Sequence, residues 1–336
     1  MTTTNDTLAG LLASSCSGVL ARFPCHPLDT CKARLQVQST TDLRYKNVWD
    51  VLRQTFRTEG LRGLYRGFGV TVIGSAPATC LYLSSYDAAK NTLSSNVFVE
   101  NQFLAHFAAG MIAETVSCVL WVPIDVTKER LQIQETRKGH DNCGARNHTN
   151  YRGSIDALRT IMRTEGLRGI YKGYGATVGS FGPFSAFYFM FYEQIKSSSV
   201  KLYYNTPDPD DVDEADIVRD PPFWLHLINS SVASMMASFV TNPLDLVKLR
   251  LQVQRGAAVS SMSSGRATAA ATSASKHVHH WGQYKGMLDG LRQVCVQEGA
   301  QGLFRGVGAR MAFHGPSIAI TISAYEKLKV WWKDVL

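Results

Sequence analysis

Much that marks a soluble or secreted chain is scarce in these 336 residues. Charged residues make up only 18%, yet the mean hydropathy of −0.08 is too polar for a helix bundle surrounded on all sides by lipid. A membrane bundle lining a water-filled cavity fits both values. The seven cysteines, at positions 16, 25, 31, 80, 118, 143 and 295, include no C-x-x-C pair. That excludes a zinc ribbon and argues for reduced thiols rather than a disulfide framework. No basic residue precedes Arg22. The start therefore lacks both the charged head of a signal peptide and the Arg-rich pattern of a transit peptide, and any address is expected to be internal. The 35 Lys and Arg give a net charge of +8 without gathering into a block. Without a clustered basic footprint, no nucleic-acid partner is expected.

What is present is a repeat. HPLDTCKARLQ at 26–36 returns in WVPIDVTKERLQIQ at 121–134 and TNPLDLVKLRLQVQ at 241–254, each with the order P-x-D-x-x-K-x-R-L-Q. One copy is an accident; three, each after an apolar run, define the architecture. TEGLRGLYRG, TEGLRGIYKG and QEGAQGLFRG follow in turn, and each unit closes on a Tyr-acid-x-x-Lys group. Those groups are Tyr86-Asp87-x-x-Lys90, Tyr192-Glu193-x-x-Lys196 and Tyr325-Glu326-x-x-Lys329, always 21 residues beyond the preceding aromatic. The constant spacing predicts a rigid helix. The distance from each proline to the next Glu-Gly is 32, 42 and 55 residues, so the variation is confined to loops, at 135–150 and 255–283.

The pattern predicts an all-α membrane protein, a single domain over 1–336. Three repeats at 7–98, 102–200 and 222–334 supply two transmembrane helices each, with a short amphipathic helix between them, and an acidic linker lies at 201–221. In the first short helix Val48, Val51, Leu52, Thr55 and Phe56 share one face. Pro27, Pro123 and Pro243 are expected to kink the odd-numbered spans.

Charges at membrane depth cost ~2.5–3.5 kcal/mol each, so they must face the interior and pair. Threefold repetition suggests a ring in which each acid meets a base of another repeat: Asp29 with Lys128, Asp125 with Lys248, and Asp245 with Lys32. A second ring at the other end would pair Asp87 with Lys196, Glu193 with Lys329, and Glu326 with Lys90. Two such closures flanking one cavity are what alternating access requires.

Over nearly its whole length the chain resembles the mitochondrial carrier family, whose signature P-x-[DE]-x-x-[KR]-x-[KR], then [DE]-G, then an aromatic, [KR] and Gly, is present three times. The resemblance implies a pseudo-threefold, six-helix, multi-pass transporter of the mitochondrial inner membrane, with both termini toward the intermembrane space and one central site for a small-molecule substrate. It makes the proline ring the matrix gate, braced by Gln36, Gln132 and Gln252, and the other ring the cytoplasmic gate, braced by Tyr86, Tyr192 and Tyr325. It also implies a monomer that binds cardiolipin. Amides at helix starts attract phosphate. Gly67, Gly173 and Gly306 would open the even-numbered helices and Gly153 and Gly286 the short ones, whereas the first unit reads Tyr45-Lys46-Asn47. No cofactor, metal centre or catalytic residue is implied.

Family contact points fall at Gly74 with Ser75, Ser180 with Phe181, and Phe313 with His314. The small-then-apolar pair leans toward nucleotide or cofactor carriers. On the odd spans, Arg22, Glu114, Cys118, Ser234 and Ser238 are expected to face the cavity, with Arg310 opposite, and Arg22 and Glu114 either bind substrate or pair with each other. IGSAPATCLYLSSYD and GARMAFHGPSIAI resemble helices of mitoferrin-type iron carriers, although Arg22 and Thr79 stand where those have histidine. Ile73-Gly74-Ser75 resembles a turn of S-adenosylmethionine carriers. His26, Cys25 and Cys31 do not share one helical face and read as packing residues. His277, His279 and His280 read as loop filler. GYGATVG at 173–179 imitates a dinucleotide fingerprint but follows no apolar strand, which argues against an enzyme.

Overall fold

A computed structural model describes residues 2–38, 44–96, 102–134, 151–204, 222–254 and 284–335. Both variable loops lie outside the described residues, as do the three loop histidines and all of the linker except 201–204, which continue a helix. The elements are α1 (Thr2–Val37), α2 (Val48–Glu59), α3 (Leu61–Leu64), α4 (Phe68–Asn96), α5 (Gln102–Gln132), α6 (Ser154–Ile170), α7 (Tyr174–Tyr204), α8 (Phe223–Val240), α9 (Asn242–Val253), α10 (Met287–Leu303) and α11 (Val307–Val335). The spans are α1, α4, α5, α7, the α8–α9 pair and α11. Each packs on the next, and α11 returns to α1, so the bundle is a closed ring around an axis. Three helical stretches, Leu61–Leu93, Ala105–Gln132 and Phe223–Val240, are apolar enough to cross a bilayer on composition alone. The others carry more polar residues, as helices facing a wet lumen do.

The three prolines act differently. Helices α1 and α5 continue through Pro27 and Pro123, whereas the third span breaks at Thr241 (φ −89°, ψ 6°), two residues before Pro243. Threonine hydroxyls take carbonyls near the two later prolines, Thr127 that of Pro123 and Thr241 that of Ala237, both at 2.7 Å. Proline removes an amide and crowds the preceding turn, so the helix must bend there or stop.

The unequal loops end in one geometry. The Gln134 side chain donates to the Tyr151 carbonyl at 3.0 Å and accepts that residue's amide at 2.9 Å; Gln38 does the same with Tyr45 at 2.7 and 3.0 Å, and Gln254 accepts from the Tyr284 amide at 3.2 Å. Each short helix then starts with an aspartate reaching back to a backbone amide: Asp50 to Lys46 (3.1 Å), Asp156 to Arg152 (2.8 Å) and Asp289 to Lys285 (2.9 Å). The backbone N–H of Lys46, helped by Gln54, holds the Asp50 carboxyl below its ordinary pKa, and Lys285 and Gln293 do the same for Asp289. Within α2, Val51 and Thr55 are buried and Val48 and Leu52 pack against the same cluster, but Phe56 is 55% exposed and faces outward.

The glycine that begins each even-numbered span has a left-handed backbone, with φ of 79° at Gly67, 82° at Gly173 and 74° at Gly306. A Cβ at Gly306 would sit 2.8 Å from Gln36 Cγ, and one at Gly173 would sit 2.9 Å from Gln252 Cγ. These glycines let an even span touch the odd span of another repeat. Gly306→Ala is therefore expected to lower stability by ~2 kcal/mol in thermal unfolding, because it combines φ strain with overpacking. Gly308→Ala, with nothing within 4 Å, should be neutral or slightly stabilising.

Candidate functional site

Beyond the prolines, α1, α5 and α9 converge and bring together six of the recurring charges. Lys128 Nζ lies 2.7 Å from Asp29, Lys32 Nζ 2.8 Å from Asp245, and Lys248 Nζ 3.1 Å from Asp125, so each pair joins two repeats. The ring is not symmetric. Gln132 donates to Asp29 and Gln36 to Asp245, each at 3.1 Å, but Gln252 turns to the Thr177 hydroxyl at 3.4 Å instead of bracing Asp125. Thr177 occupies the place that Arg310 takes in the third repeat, four residues after the span's first glycine. Arg310 is buried in the ring rather than facing the cavity: it donates to the Ser238 carbonyl (2.8 Å) and the Thr241 hydroxyl (3.0 Å), with Nε 3.4 Å from Asp245. Asp245 is thus held by Lys32, Gln36 and Arg310. Asp125 and Lys248, with side chains 20% and 19% exposed, form the wettest link. Glu129 adds a fourth buried acid, 3.4 Å from Lys128.

Two layers that sequence reasoning missed lie beneath this ring. Arg34, Arg130 and Arg250 each grip the Glu-Gly glutamate of their own repeat, Glu59, Glu165 and Glu298, through both guanidinium nitrogens. Each also donates to carbonyls at the end of another odd span: Arg34 to Gln132 at 3.0 Å, Arg130 to Gln252 at 3.1 Å and Arg250 to Gln36 at 3.0 Å. Helix C-termini have unsatisfied carbonyls and a partial negative charge, and arginine answers both. Their signal was the arginine two residues after each lysine. The second layer is apolar: Ala33, Val37, Leu249 and Val253 cluster with Ile133 against them, closing the axis. Val37, Ile133 and Val253 each follow a brace glutamine.

At the opposite end the second ring is not assembled. None of the pairs Asp87–Lys196, Glu193–Lys329 and Glu326–Lys90 is among the ion pairs of the described residues, and Lys329 lies over the Tyr325 ring at 5.7 Å. The tyrosines expected as braces are engaged elsewhere: the Tyr86 hydroxyl is 2.8 Å from His106 Nδ1, and that of Tyr192 is 2.8 Å from His226 Nδ1.

Of the expected substrate contacts, several are otherwise occupied. A Cβ on Gly74 would overlap Ile124, so this glycine serves the close approach of α4 to α5. The Ser75 and Ser180 hydroxyls bond carbonyls of their own helices, those of Val72 at 3.0 Å and Thr177 at 2.9 Å. Cys118 is fully buried in an apolar cluster with its thiol 3.5 Å from Glu114, and Ser234 and Ser238 are also fully buried. Arg22 makes no ion pair with Glu114; its guanidinium stands over the Trp121 ring at 5.2 Å. Phe181 is half-buried, and His314 sits between Phe313 (5.2 Å) and Phe184 (5.4 Å). Trp121 and Phe184 were missed because a lone aromatic in an apolar run carries no spacing signal. His26 is a packing residue, bonded to the Arg66 carbonyl at 3.0 Å and stacked on Tyr65. Cys25 and Cys31 are buried, and no three His, Cys, Asp or Glu side chains converge among the described residues.

At the short-helix starts, Gly153 and Gly286 have no side-chain cap, whereas Asn47 accepts the Asp50 amide at 2.9 Å. The first unit thus fills with a side chain the place that the other two leave open. A cleft of about 470 Å³ beside it is lined by Tyr45, Lys46, Asn47, Arg305 and Gly306.

The ring's asymmetry sets an order of costs. Asp245→Asn strips two cations of their carboxylate and is expected to lower unfolding stability by ~3–5 kcal/mol, whereas Asp125→Asn, at the hydrated link, should cost ~1–2 kcal/mol. Thermal unfolding of the two variants checks the ranking.

The family model described as "Mitochondrial carrier protein" matches the chain three times, at residues 3–97, 99–202 and 219–336. "Mitochondrial substrate carrier family protein E" of Dictyostelium discoideum is 32% identical over 334 residues, 98% of each chain. "Mitoferrin" of the same organism is 29% identical over 320 residues, covering 95% of this chain and 92% of that one. The mitochondrial aspartate-glutamate transporter of Saccharomyces cerevisiae is 28% identical over 96% of this chain and 31% of its own. With three copies of the unit spanning its length and closing on shared ion pairs, the chain belongs to the mitochondrial carrier family of transporters.

Proposed function

We propose that the protein moves a small organic anion of the nucleotide or cofactor kind across the mitochondrial inner membrane by alternating access. One observation carries this reading: at one end Asp29–Lys128, Asp245–Lys32 and Asp125–Lys248 are joined above an apolar plug, while at the other end the equivalent acids and bases stand apart. The joined ring is the matrix gate, the separated ring is the cytoplasmic gate, and both termini lie toward the intermembrane space.

Transport follows from electrostatics. Arg22 is the cavity cation without an ion-pair partner among the described residues, and its platform, Trp121, offers a flat apolar face to a planar group. An anion drawn to Arg22 sits above the Asp–Lys ring and perturbs it. Because hydrated ion pairs are worth only ~0–1 kcal/mol, a modest differential affinity separates the links, beginning with Asp125–Lys248. The likeness to mitoferrins supports a second reading, with ferrous iron as cargo. Against it, Arg22 stands where a ligand is wanted, and His26 and His314 are held by other contacts.

Cardiolipin would bind the protein as a monomer at the uncapped amides of Gly153 and Gly286, beside Gly173 and Gly306, with Gly67 at the first site. Gly153→Asn and Gly286→Asn, which would supply the cap that Asn47 supplies in the first unit, should reduce the thermal stabilisation given by cardiolipin. Asn47→Gly should increase it.

The deciding experiment is exchange in cardiolipin-containing liposomes with labelled nucleotides, cofactors, amino acids, carboxylates and ferrous iron. Uptake of an organic anion, with KM raised about tenfold or more by Arg22→Gln, is expected, since a charge-assisted contact is worth ~1.5–3 kcal/mol. Uptake of iron alone would establish the second reading. No uptake of any solute by folded, inserted protein would indicate a scaffold of carrier ancestry.

A further inference from the structure

Two histidines that the transport scheme leaves unused stand at equivalent places. His106 and His226 lie 17 residues before Pro123 and Pro243, and each faces a tyrosine of the preceding repeat. The Tyr86–His106 contact joins α4 to α5, and the Tyr192–His226 contact joins α7 to α8, both at 2.8 Å. One turn back a second tyrosine stacks on each of these, Tyr82 on Tyr86 (6.4 Å, 12°) and Tyr188 on Tyr192 (6.2 Å, 18°), which fixes the ring that presents the hydroxyl. The third interface has neither part. Thr321 replaces the stacking tyrosine, Gly10 replaces the histidine, and a Cβ on Gly10 would still lie 3.9 Å from the Tyr325 hydroxyl. A cleft of about 390 Å³ remains there, lined by Ser14, Ser17, His226, Thr321, Tyr325 and Glu326.

We infer that His106 and His226 are positioning residues that latch two of the three interfaces in the open state at the termini end, and that the interface between α11 and α1 carries no latch. The inference rests on the alternating-access reading. Asp87 and Glu193 directly follow the two latched tyrosines. Bringing these acids to their lysines on other repeats requires the rim of each span to swing toward the axis, and a tyrosine bonded to the neighbouring odd span resists that swing. Closure must therefore break two hydrogen bonds that exist only in the open form. The unlatched α11 rim, with the cleft beside it, is where movement costs least. The histidines touch no substrate in this scheme; they act through the tyrosines on the ratio of open to closed carrier.

The test uses full-length protein in liposomes without added solute. Spin labels on Asn91→Cys and Ser197→Cys, with the other cysteines replaced, report the distance between the α4 and α7 rims. His106→Phe or His226→Phe should raise the ratio of short to long distances about fivefold, and the double variant about 25-fold, as expected for one net hydrogen bond each. The acceptor-bearing His106→Asn should recover part of the shift. Gly10→His combined with Thr321→Tyr, which installs a third latch, should move the ratio the opposite way. An unchanged ratio in the double Phe variant, in a protein whose wild type shows both distances, would overturn the latch and leave alternating access standing. A single distance in every variant, in protein that also exchanges no solute, would overturn both.

Discussion

Everything in this molecule depends on a cost that cannot be avoided: a charge placed inside a membrane protein must have a partner. Asp29, Asp125 and Asp245 could each have been paired within one helix. The lysines instead cross to other repeats. The solvation of each charge therefore requires three helices to meet, and what holds the bundle shut also holds it together. The layers beneath follow the same logic. Arginines consume the carbonyls at the ends of the odd spans, and the apolar plug keeps water from the pairs above.

Threefold symmetry supplies the design and its defects supply the direction. Arg310 and Gln36 concentrate attraction on Asp245, while Gln252 abandons Asp125 for Thr177. At the far rim, histidines engage two tyrosines and a glycine faces the third. A symmetric ring would have to separate at once, whereas an uneven one can separate link by link. Each step then falls within the few kcal/mol that differential binding can supply.

The sequence discloses the fold almost entirely, because P-x-D-x-x-K and the aromatic-basic-Gly turn recur with fixed internal spacing while only the loops differ. Cross-repeat partners were readable for the same reason: six buried charges on a threefold axis admit few arrangements. The cavity was much less legible. Arg310 lies on the expected helix, but the Asp245 carboxylate draws it into the ring. Gly74 lies at a contact point, but Ile124 fills the space beside it. Which face a residue presents depends on how closely helices approach, and that depends on side chains distant in sequence. Trp121, Phe184, His106 and His226 are single residues that periodicity cannot distinguish from ordinary packing.

The central claim is that the proline ring seals one end of a cavity open at the other. It is tested most directly by Gly18→Cys, whose side chain would enter open space, in a background without other cysteines and with the protein in one orientation. A membrane-impermeant maleimide added on the side of the termini should label this thiol at least about tenfold faster than one added on the ring side. Replacing Asp29, Asp125 and Asp245 together with Asn should abolish that difference. Equal labelling from both sides of the unmodified ring would contradict the account.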